Sequence, residues 1–217
     1  MARKQSTGRC QFCHKLYTRG GLGRHLKSCK ARQAANLAAK GKTQTLYHLR
    51  IQSLDDAKFW MNLEVCGEVE LSALDSYLRD IWLERPDHRS QFILYEWEDG
   101  VAIPTNAGAI FSRVDRLLHH YNFGLISDAW VQIVSKRDGV PLSEHPIYLM
   151  ARNDMSGCLC QVCDESAEYV CPNCFYRTAA SGYLCAKHTA DHPHDDACDG
   201  FYKLHNSPRV GLYSKIV

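Results

Sequence analysis

Pairs of metal-binding side chains are concentrated near the C-terminus of this chain of 217 residues. The stretch from Cys158 to Cys198 contains seven of the eleven cysteines, together with three histidines. They form four closely spaced pairs, namely Cys160 with Cys163, Cys171 with Cys174, Cys185 with His188, and His194 with Cys198. The two-residue gap in the first three pairs lets both side chains reach one metal ion from a tight turn. Eight such ligands predict two tetrahedral zinc sites with all four positions filled, which is typical of structural zinc.

Two ways of combining these pairs are open from the sequence. An alternating arrangement joins the first pair with the third and the second with the fourth, and its spacing resembles B-box-like cross-brace modules. A sequential arrangement is the alternative. The alternating ligand sets are Cys160, Cys163, Cys185 and His188, and then Cys171, Cys174, His194 and Cys198. Cys158 and His192 are surplus in both arrangements, and we predict that neither is a ligand, although either could replace a neighbour.

A disulfide-bonded cluster is the alternative to zinc for so many cysteines. The first ten residues, MARKQSTGRC, lack the apolar core of a signal peptide, and no apolar run reaches the length of a membrane span. We therefore expect a cytoplasmic protein in a reducing compartment, where paired cysteines usually bind metal. Few large apolar residues lie between the ligands, so metal binding should supply much of the folding free energy of this segment.

A third set of ligands lies near the N-terminus, at Cys10, Cys13, His25 and Cys29. Tyr17 and Leu22 match the aromatic and leucine positions of the small core of a ββα zinc finger. The central gap is one residue shorter than usual and the last ligand is Cys rather than His. We predict a helix that begins near Gly21–Leu22 and carries His25 and Cys29 on one face. The twelve ligands together predict about three zinc ions per chain.

The charge of the chain is unevenly distributed along its length. Residues 1–42 contain eleven Lys or Arg and no Asp or Glu, whereas the remainder has fifteen basic and 24 acidic residues, a net charge of −9. A basic segment on an acidic body predicts an arm that binds a polyanion, with DNA or RNA as the first candidate; a solvated tail is the alternative. The residues suited to phosphate contacts are Arg9, Lys15, Arg19, Arg24, Lys27 and Lys30, with Arg3, Lys4 and Arg32 beside them. A single finger rarely binds DNA tightly, so specificity requires a second element or a homodimer.

Residues 43–155 carry the patterns of a packed α+β domain, a sheet with two helices. Alternation in TQTLYHLRIQSL and a second strand at FWMNLEVCGEV predict a hairpin over residues 45–67. ELSALDSYLRDIWLE predicts a helix with one apolar stripe, and SRVDRLLHHYN predicts a second helix that begins at Ser112, with Asp115 in the capping-box position. SQFILYEWE, DAWVQIVSKR and HPIYLMARN predict the remaining strands. The helical stripe consists of Leu71, Leu74, Leu78, Ile81 and Trp82.

One ordered series of segments resembles a known family. The series is YHLRIQSLDDAKFWMNLEV, then YNFG at 121–124, PIYLMARND at 146–154, the cysteine cluster and NSPRVG at 206–211. Over residues 45–212 it looks like the plasmid-Ri ORF-three-like family, also described as an insertion-element passenger family. The resemblance implies a compact α+β domain with a zinc-binding tail, encoded on mobile or accessory DNA, and no settled activity. The family usually has an acidic residue where Asn122 stands and a Cys where Tyr213 stands, and the N-terminal finger is not part of its pattern.

No catalytic site is predicted from the remaining polar residues. Asp55 and Asp56 fall in a hairpin turn, and a second carboxylate group, formed by Glu96, Glu98 and Asp99, ends a strand. Solvated turns explain both groups, and the end of a helix explains His119 and His120. Cys66 reads as a packing residue.

We therefore predict three domains, a finger and linker at 1–42, the α+β domain at 43–155 and a double zinc module at 156–217. The predicted function is a non-catalytic zinc protein that binds nucleic acid through its finger and docks on a larger protein or nucleoprotein complex of mobile DNA or antiviral defence. A protein–protein adaptor without nucleic-acid binding is the first alternative, and a hydrolase with an unrecognised site is the second.

Overall fold

A computed structural model describes residues 6–83, 89–94, 100–101, 104–123, 125–178, 180–193 and 200–209. The described residues of Met1–Ile81 and Arg85–Asn153 form one compact unit, and those of Trp82–Glu84 and Asp154–Val217 form a second. The predicted boundary at residue 42 therefore falls inside the first unit. No helix in these ranges combines the length and apolar character that crossing a membrane requires.

The first unit is built on a sheet of nine strands with four helices among its described residues. Its elements are β1 Thr7–Cys10, β2 Leu16–Thr18, α1 Arg19–Ser28, α2 Lys30–Ala38, β3 Gln44–Ser53, β4 Trp60–Cys66, α3 Leu71–Ile81, β5 Arg89–Leu94, β6 Gly100–Val101, α4 Ala107–Phe111, β7 Arg116–Phe123, β8 Leu125–Gly139 and β9 Ile147–Asn153. The strand order is β2-β1-β9-β4-β3-β8-β7-β5-β6, and every neighbouring pair is antiparallel. A mixed α+β fold with a mainly antiparallel sheet is thus confirmed.

The centre of the sheet follows the predicted alternation of apolar residues. Strands β3 and β4 form the predicted hairpin, with Leu46 opposite Cys66 and Gln52 opposite Trp60. The strand predicted from DAWVQIVSKR is part of β8, and the strand predicted from HPIYLMARN is present from Ile147 onward as β9. β4 is buried along its whole length because helices cover both of its faces. Such burial fixes the register, since a shift by one residue would exchange the two faces.

One face of the sheet is covered by α3 and α4. Leu71, Leu74 and Leu78 of α3 are buried, which confirms this part of the predicted helical stripe. Ile81 is half-buried, and Trp82 lies beyond the end of the helix. α4 packs its Phe111 edge-on against Tyr47 of β3, with ring centroids 5.3 Å apart. These contacts form the apolar core between the helices and this face.

The second helix predicted in this domain is wrong: residues 116–122 of SRVDRLLHHYN belong to strand β7, Arg116–Phe123. The strand pairs with β5 and β8 and buries Leu117, His119 and Tyr121 on its helix-covered face. The alternation is hard to see in the sequence because its middle inward residue is a histidine. Asp75 of α3 makes a hydrogen bond of 2.7 Å with His119 Nε2, and that pairing allows a polar ring to lie in the core. Asp115 consequently does not cap a helix.

The opposite face is covered at one end by α1 and α2. Strand β1 pairs with β9, with Cys10 opposite Ala151, so the finger continues the large sheet. Leu22 and Leu26 of α1 pack on Trp60 and Met150. The finger thereby gains an apolar core larger than its own residues could supply.

The second unit is small and rich in cysteine. Its elements are β10 Tyr169–Val170, α5 Pro172–Arg177, β11 Tyr183–Leu184, α6 Ala186–Ala190 and β12 Tyr202–Lys203, with strand order β11-β10-β12. Its buried cluster consists of four cysteines and Leu184, and Phe201 packs against it. Ser207 of the NSPRVG segment donates a hydrogen bond of 2.5 Å to the Trp82 carbonyl within this unit. With so small an apolar core, this unit fits the expectation that metal binding stabilises it.

Candidate metal centres

The N-terminal cluster, Cys10, Cys13, His25 and Cys29, is assembled by a hairpin and a helix. Cys10 ends β1 and Cys13 lies in the following turn, which is closed by a 3.1 Å hydrogen bond from the Cys10 amide to the Lys15 carbonyl. The Thr18 side chain caps α1 by accepting a hydrogen bond from the Gly21 amide. The helix spans Arg19–Ser28, so it begins two residues before the predicted Gly21 and carries His25. Cys29, predicted on the same helix, is instead its C-cap, with an extended backbone.

The ligand atoms of this cluster have the spacing that zinc requires. All four lie within 4.8 Å of one another. The Cys10 and Cys29 sulfurs are 4.0 Å apart, and Cys13 Sγ is 3.2 Å from His25 Nε2. With Zn–S near 2.3 Å and tetrahedral angles, two sulfur ligands are about 3.8 Å apart, whereas a disulfide requires about 2.05 Å. The geometry suits a metal ion and excludes a Cys10–Cys29 disulfide.

Neighbouring residues fix the orientation of this cluster. The Tyr17 ring stacks on the His25 imidazole with centroids 4.0 Å apart, which orients the ligand nitrogen toward the sulfurs. Cys10 and Cys29 are buried on the same side as Leu22 and Leu26. Burial raises the pKa of the Cys10 thiol to about 11, because a thiolate is poorly solvated there. A bound cation would supply the stabilisation that this thiolate lacks.

The first C-terminal cluster consists of Cys160, Cys163, Cys185 and His188, whose ligand atoms also lie within 4.8 Å of one another. His188 Nδ1 is 3.3 to 3.6 Å from the three sulfurs, and Cys163 and Cys185 are 3.9 Å apart. Burial raises the pKa of Cys160, but hydrogen bonds from backbone amides, including that of Val162, lower it overall to about 6. The first and third pairs thus come together, as the alternating arrangement requires.

The second C-terminal cluster consists of Cys171, Cys174 and His192. Cys174 Sγ is 3.3 Å from His192 Nε2, and the Phe201 ring packs edge-on against this imidazole. His192 was predicted to be surplus, although able to replace a neighbouring ligand, and the structure places it in this cluster. Two signals in the sequence could have identified His192. The Cys171–Cys174 pair needs further ligands, and His192 lies only two residues before the predicted ligand His194. The predicted ligands His194 and Cys198 lie outside the described residues. Cys158 belongs to none of the three clusters.

The ligand atoms of these clusters are of the kinds that bind zinc. Two of them offer four Cys or His ligands each, which fills the tetrahedral coordination of zinc without an open position. Three of the four ligands in each of these two clusters are sulfurs, which are soft donors that bind zinc in preference to Mg²⁺ or Ca²⁺. All ten described cysteines are free of disulfides.

The predicted phosphate-binding residues are distributed around the N-terminal cluster. Arg9, Lys15, Arg24, Lys27 and Lys30 are exposed, and Arg19 is half-buried. Arg24 and Lys27 are three residues apart on α1, away from the buried Leu22 and Leu26. Arg9 also donates to the His14 carbonyl, and Arg19 to the Ala57 carbonyl. Arg3 and Lys4 lie outside the described residues.

Arg32 does not belong to this basic surface, although the sequence placed it there. Its guanidinium is buried, and it donates to the Glu64 carboxylate at 3.0 Å and to the Leu26 carbonyl. Arg137 of β8 contacts both oxygens of the same carboxylate, at 2.8 and 3.0 Å. This buried ion-pair cluster holds α2 on the sheet instead of contacting a ligand.

The polar residues considered for catalysis are held in structural contacts. Asp56 accepts a backbone hydrogen bond from Lys58 in the β3–β4 turn, as expected for a solvated turn. His119 lies on a strand, not at a helix end, and shares Asp75 with Ser90 and Arg79 in a buried network. Cys66 is buried at the end of β4. Glu96, Glu98 and Asp99 lie outside the described residues.

Comparison with known proteins adds little to this account. No family model and no curated protein matches the chain. Among solved structures, a protein of unknown function, MM3350 from Methanosarcina mazei Go1, is similar over 50% of this chain and 67% of its own. The sequence identity is 14% and the TM-score is 0.39. The function has therefore to be argued from the residues of this chain.

Proposed function

We propose that this protein is a non-catalytic, cytoplasmic zinc protein that binds nucleic acid through its N-terminal finger and docks on a larger complex through its C-terminal unit. Zinc in this proposal holds the two surfaces in shape and takes no part in a reaction. About three ions per chain would bind, one at each of the three clusters.

The observation that carries the proposal is the exposed basic surface around the N-terminal cluster. Lys15, Arg24, Lys27 and Lys30 are all exposed, and the first 42 residues hold no carboxylate that could neutralise them. The finger is anchored in the sheet through β1 and through Leu22 and Leu26, so these side chains are presented on a rigid element. An anchored backbone favours phosphate binding, because only the basic side chains then need to be ordered when the ligand arrives.

A docking role for the second unit is supported by two exposed apolar side chains. Leu159 and Val162, which lie beside the ligands Cys160 and Cys163, are 48% and 59% exposed. Apolar residues on a zinc-stabilised turn suit a protein partner better than a phosphate backbone. The resemblance to the plasmid-Ri ORF-three-like family suggests a nucleoprotein complex of mobile DNA or antiviral defence as that partner. If the finger proves not to bind nucleic acid, the same patch favours the protein–protein adaptor.

The test is a titration of labelled duplex and single strand with the zinc-loaded full chain at 50 and 200 mM salt. Four phosphate contacts predict a slope of about −3.6 in log affinity against log salt, or about 150-fold weaker binding at the higher salt. Replacing Arg24 and Lys27 by Ala together should lower that slope by about two and weaken binding equally across sequences.

Lys136→Ala serves as the control, because Lys136 is exposed on β8 away from the finger. Zinc content is measured for each variant, since Arg24 and Lys27 flank His25. Affinity that is unchanged in the double variant would remove the finger from nucleic-acid binding and leave the adaptor function ahead.

A further inference from the structure

The face of the sheet that carries the finger continues beyond it across four more strands. Cross-strand pairing places Arg50 opposite Gln132, Gln132 opposite Arg116, and Gln52 opposite Trp130. Arg89 of β5 lies on the same face, because its neighbour Ser90 points to Asp75 of α3 on the other side. We call this surface the open face, and the residues on it that could contact a ligand are Arg50, Gln52, Arg89, Arg116, Trp130 and Gln132. Pairing also places Gln91, Ile93, Leu118 and His120 on this face.

Among the described residues of the first unit, no helix covers the open face. α3 and α4 pack on the opposite side, through Asp75 to His119 and through Phe111 to Tyr47. α1 and α2 cover another part of this face of the sheet, where Trp60 and Met150 lie and where Arg137 of β8 contacts Asn36 of α2. Arg89 and Arg116 are accordingly exposed, and Trp130, Arg50 and Gln132 are half-buried.

The side chains of this face combine an aromatic ring with positive charge. The Arg116 guanidinium lies 4.7 Å from the centroid of the Trp130 ring, and Arg50 donates a hydrogen bond to the Gln132 side chain. Pairing also places the Asp128 carboxylate on this face, where it contacts His120 at 2.7 Å. Burial and then the charge of Arg19 lower the pKa of Arg50, so the first residue of the finger helix is electrostatically close to this face. Positive charge therefore continues from the finger onto the sheet.

We propose that the open face is a second nucleic-acid surface and that it binds a single strand, with a base stacked at Trp130 and phosphates at Arg50, Arg89 and Arg116. Stacking on aromatic rings and charge pairing with arginines are the two contacts by which proteins hold single strands. A duplex hides its base faces inside the stack, so it cannot use the Trp130 ring. Gln52 and Gln132 add amide groups that can hydrogen-bond to the exposed edges of bases.

This inference extends the proposed function to a different surface and does not require the finger to bind. It supplies the second element that a single finger needs for tight binding. It also names the class of ligand as single-stranded, with RNA and DNA to be distinguished by experiment.

The test measures affinities of the zinc-loaded full chain for single-stranded RNA, single-stranded DNA and duplex DNA. Trp130→Ala should weaken single-strand binding about five- to 150-fold and leave duplex binding unchanged. Trp130→Phe retains a ring, should recover most of the affinity, and guards against loss of the fold in the alanine variant. Arg116→Glu should weaken single-strand binding, whereas Lys136→Glu should not, because that exposed lysine of β8 lies opposite Tyr47 on the other face.

Separate outcomes distinguish this inference from the finger proposal. One outcome is that the Arg24 and Lys27 double variant loses binding while Trp130→Phe, Trp130→Ala and Arg116→Glu keep full single-strand affinity. This outcome would overturn the proposed role of the open face and support binding by the finger. The reverse pattern would retain the open face alone. Equal weakening of duplex and single strand by Trp130→Ala, with no recovery by Trp130→Phe, would also overturn it.

Discussion

Replacing Glu64 by Gln should detach the finger side of the molecule from the sheet. The Glu64 carboxylate is 3% exposed and is held by Arg32 from α2 at 3.0 Å and by Arg137 from β8 at 2.8 Å. Arg137 also donates to Asn36 of α2, so this one carboxylate organises the contact between helix and sheet. The amide keeps the shape of the side chain but leaves the buried Arg32 guanidinium and the half-buried Arg137 guanidinium without their counter-charge.

Breaking a buried ion pair by removing one partner costs about 3–5 kcal/mol. We expect the lower value, about 3 kcal/mol, because the Arg137 side chain is 27% exposed and can be partly hydrated. For a protein of this size the loss corresponds to a fall in melting temperature of roughly 6–12 °C.

Two measurements check this expectation, with Glu68→Gln as the matched control because Glu68 is exposed two residues beyond β4. Scanning calorimetry gives the melting temperature, and hydrogen exchange should show lost protection in α2, Lys30–Ala38. The control should change stability by less than about 0.5 kcal/mol. A Glu64→Gln protein that melts like the control, with α2 fully protected, would refute the role given to this carboxylate.

Three further predictions concern the core and the C-terminal unit. Burial lowers the pKa of His48 from 6.5 to about 4 in the folded protein. As the pH falls below 6.5, the His48 imidazole is therefore protonated in the unfolded chain before it is protonated in the folded chain, and the free energy of unfolding decreases. Between pH 7 and 5 the loss is about 2 kcal/mol; denaturant titrations should show it in the wild type and not in His48→Gln, and parallel curves would contradict it. Cys185→Ser should unfold the second unit but preserve the cooperative thermal melt of the first unit, as scanning calorimetry would show. If the melting transition of the second unit is unchanged, Cys185 is not a structural ligand. His192→Ala should remove one zinc ion per chain, as metal analysis would show, and full zinc content would return the ligand role to His194.

The elements that could be predicted from sequence are those in which apolar residues occupy the positions that face the core. The β3–β4 hairpin and α3 have apolar residues at period two and at helical spacing, respectively, and both are present. Strand β7 was misassigned because its inward position 119 is a histidine, and only the distant Asp75 makes that burial favourable. Pairing of β1 with β9 depends on residues far apart in the chain, so no local pattern indicated that the finger is part of the sheet.

Among the metal ligands too, those close together in the sequence could be predicted, and those that depend on the path of the chain could not. Close pairs such as Cys160 with Cys163 are recognisable because the gap itself brings the side chains together. The choice between His192 and His194 depends on the path of the chain after α6, which spacing does not determine. The role of Arg32 was misjudged for a similar reason, since its partner Glu64 lies on a strand that the sequence does not place beneath α2.

The measurement that tests the central claim most directly is native mass spectrometry of the full chain purified without chelator. The three clusters of Cys and His ligands predict a mass that includes three zinc ions per chain, with every cysteine reduced. Acidification should release the ions and leave the mass of the fully reduced polypeptide. A count near one, together with the mass deficit of disulfides, would contradict the account, because the C-terminal unit would then be held by disulfides instead of zinc.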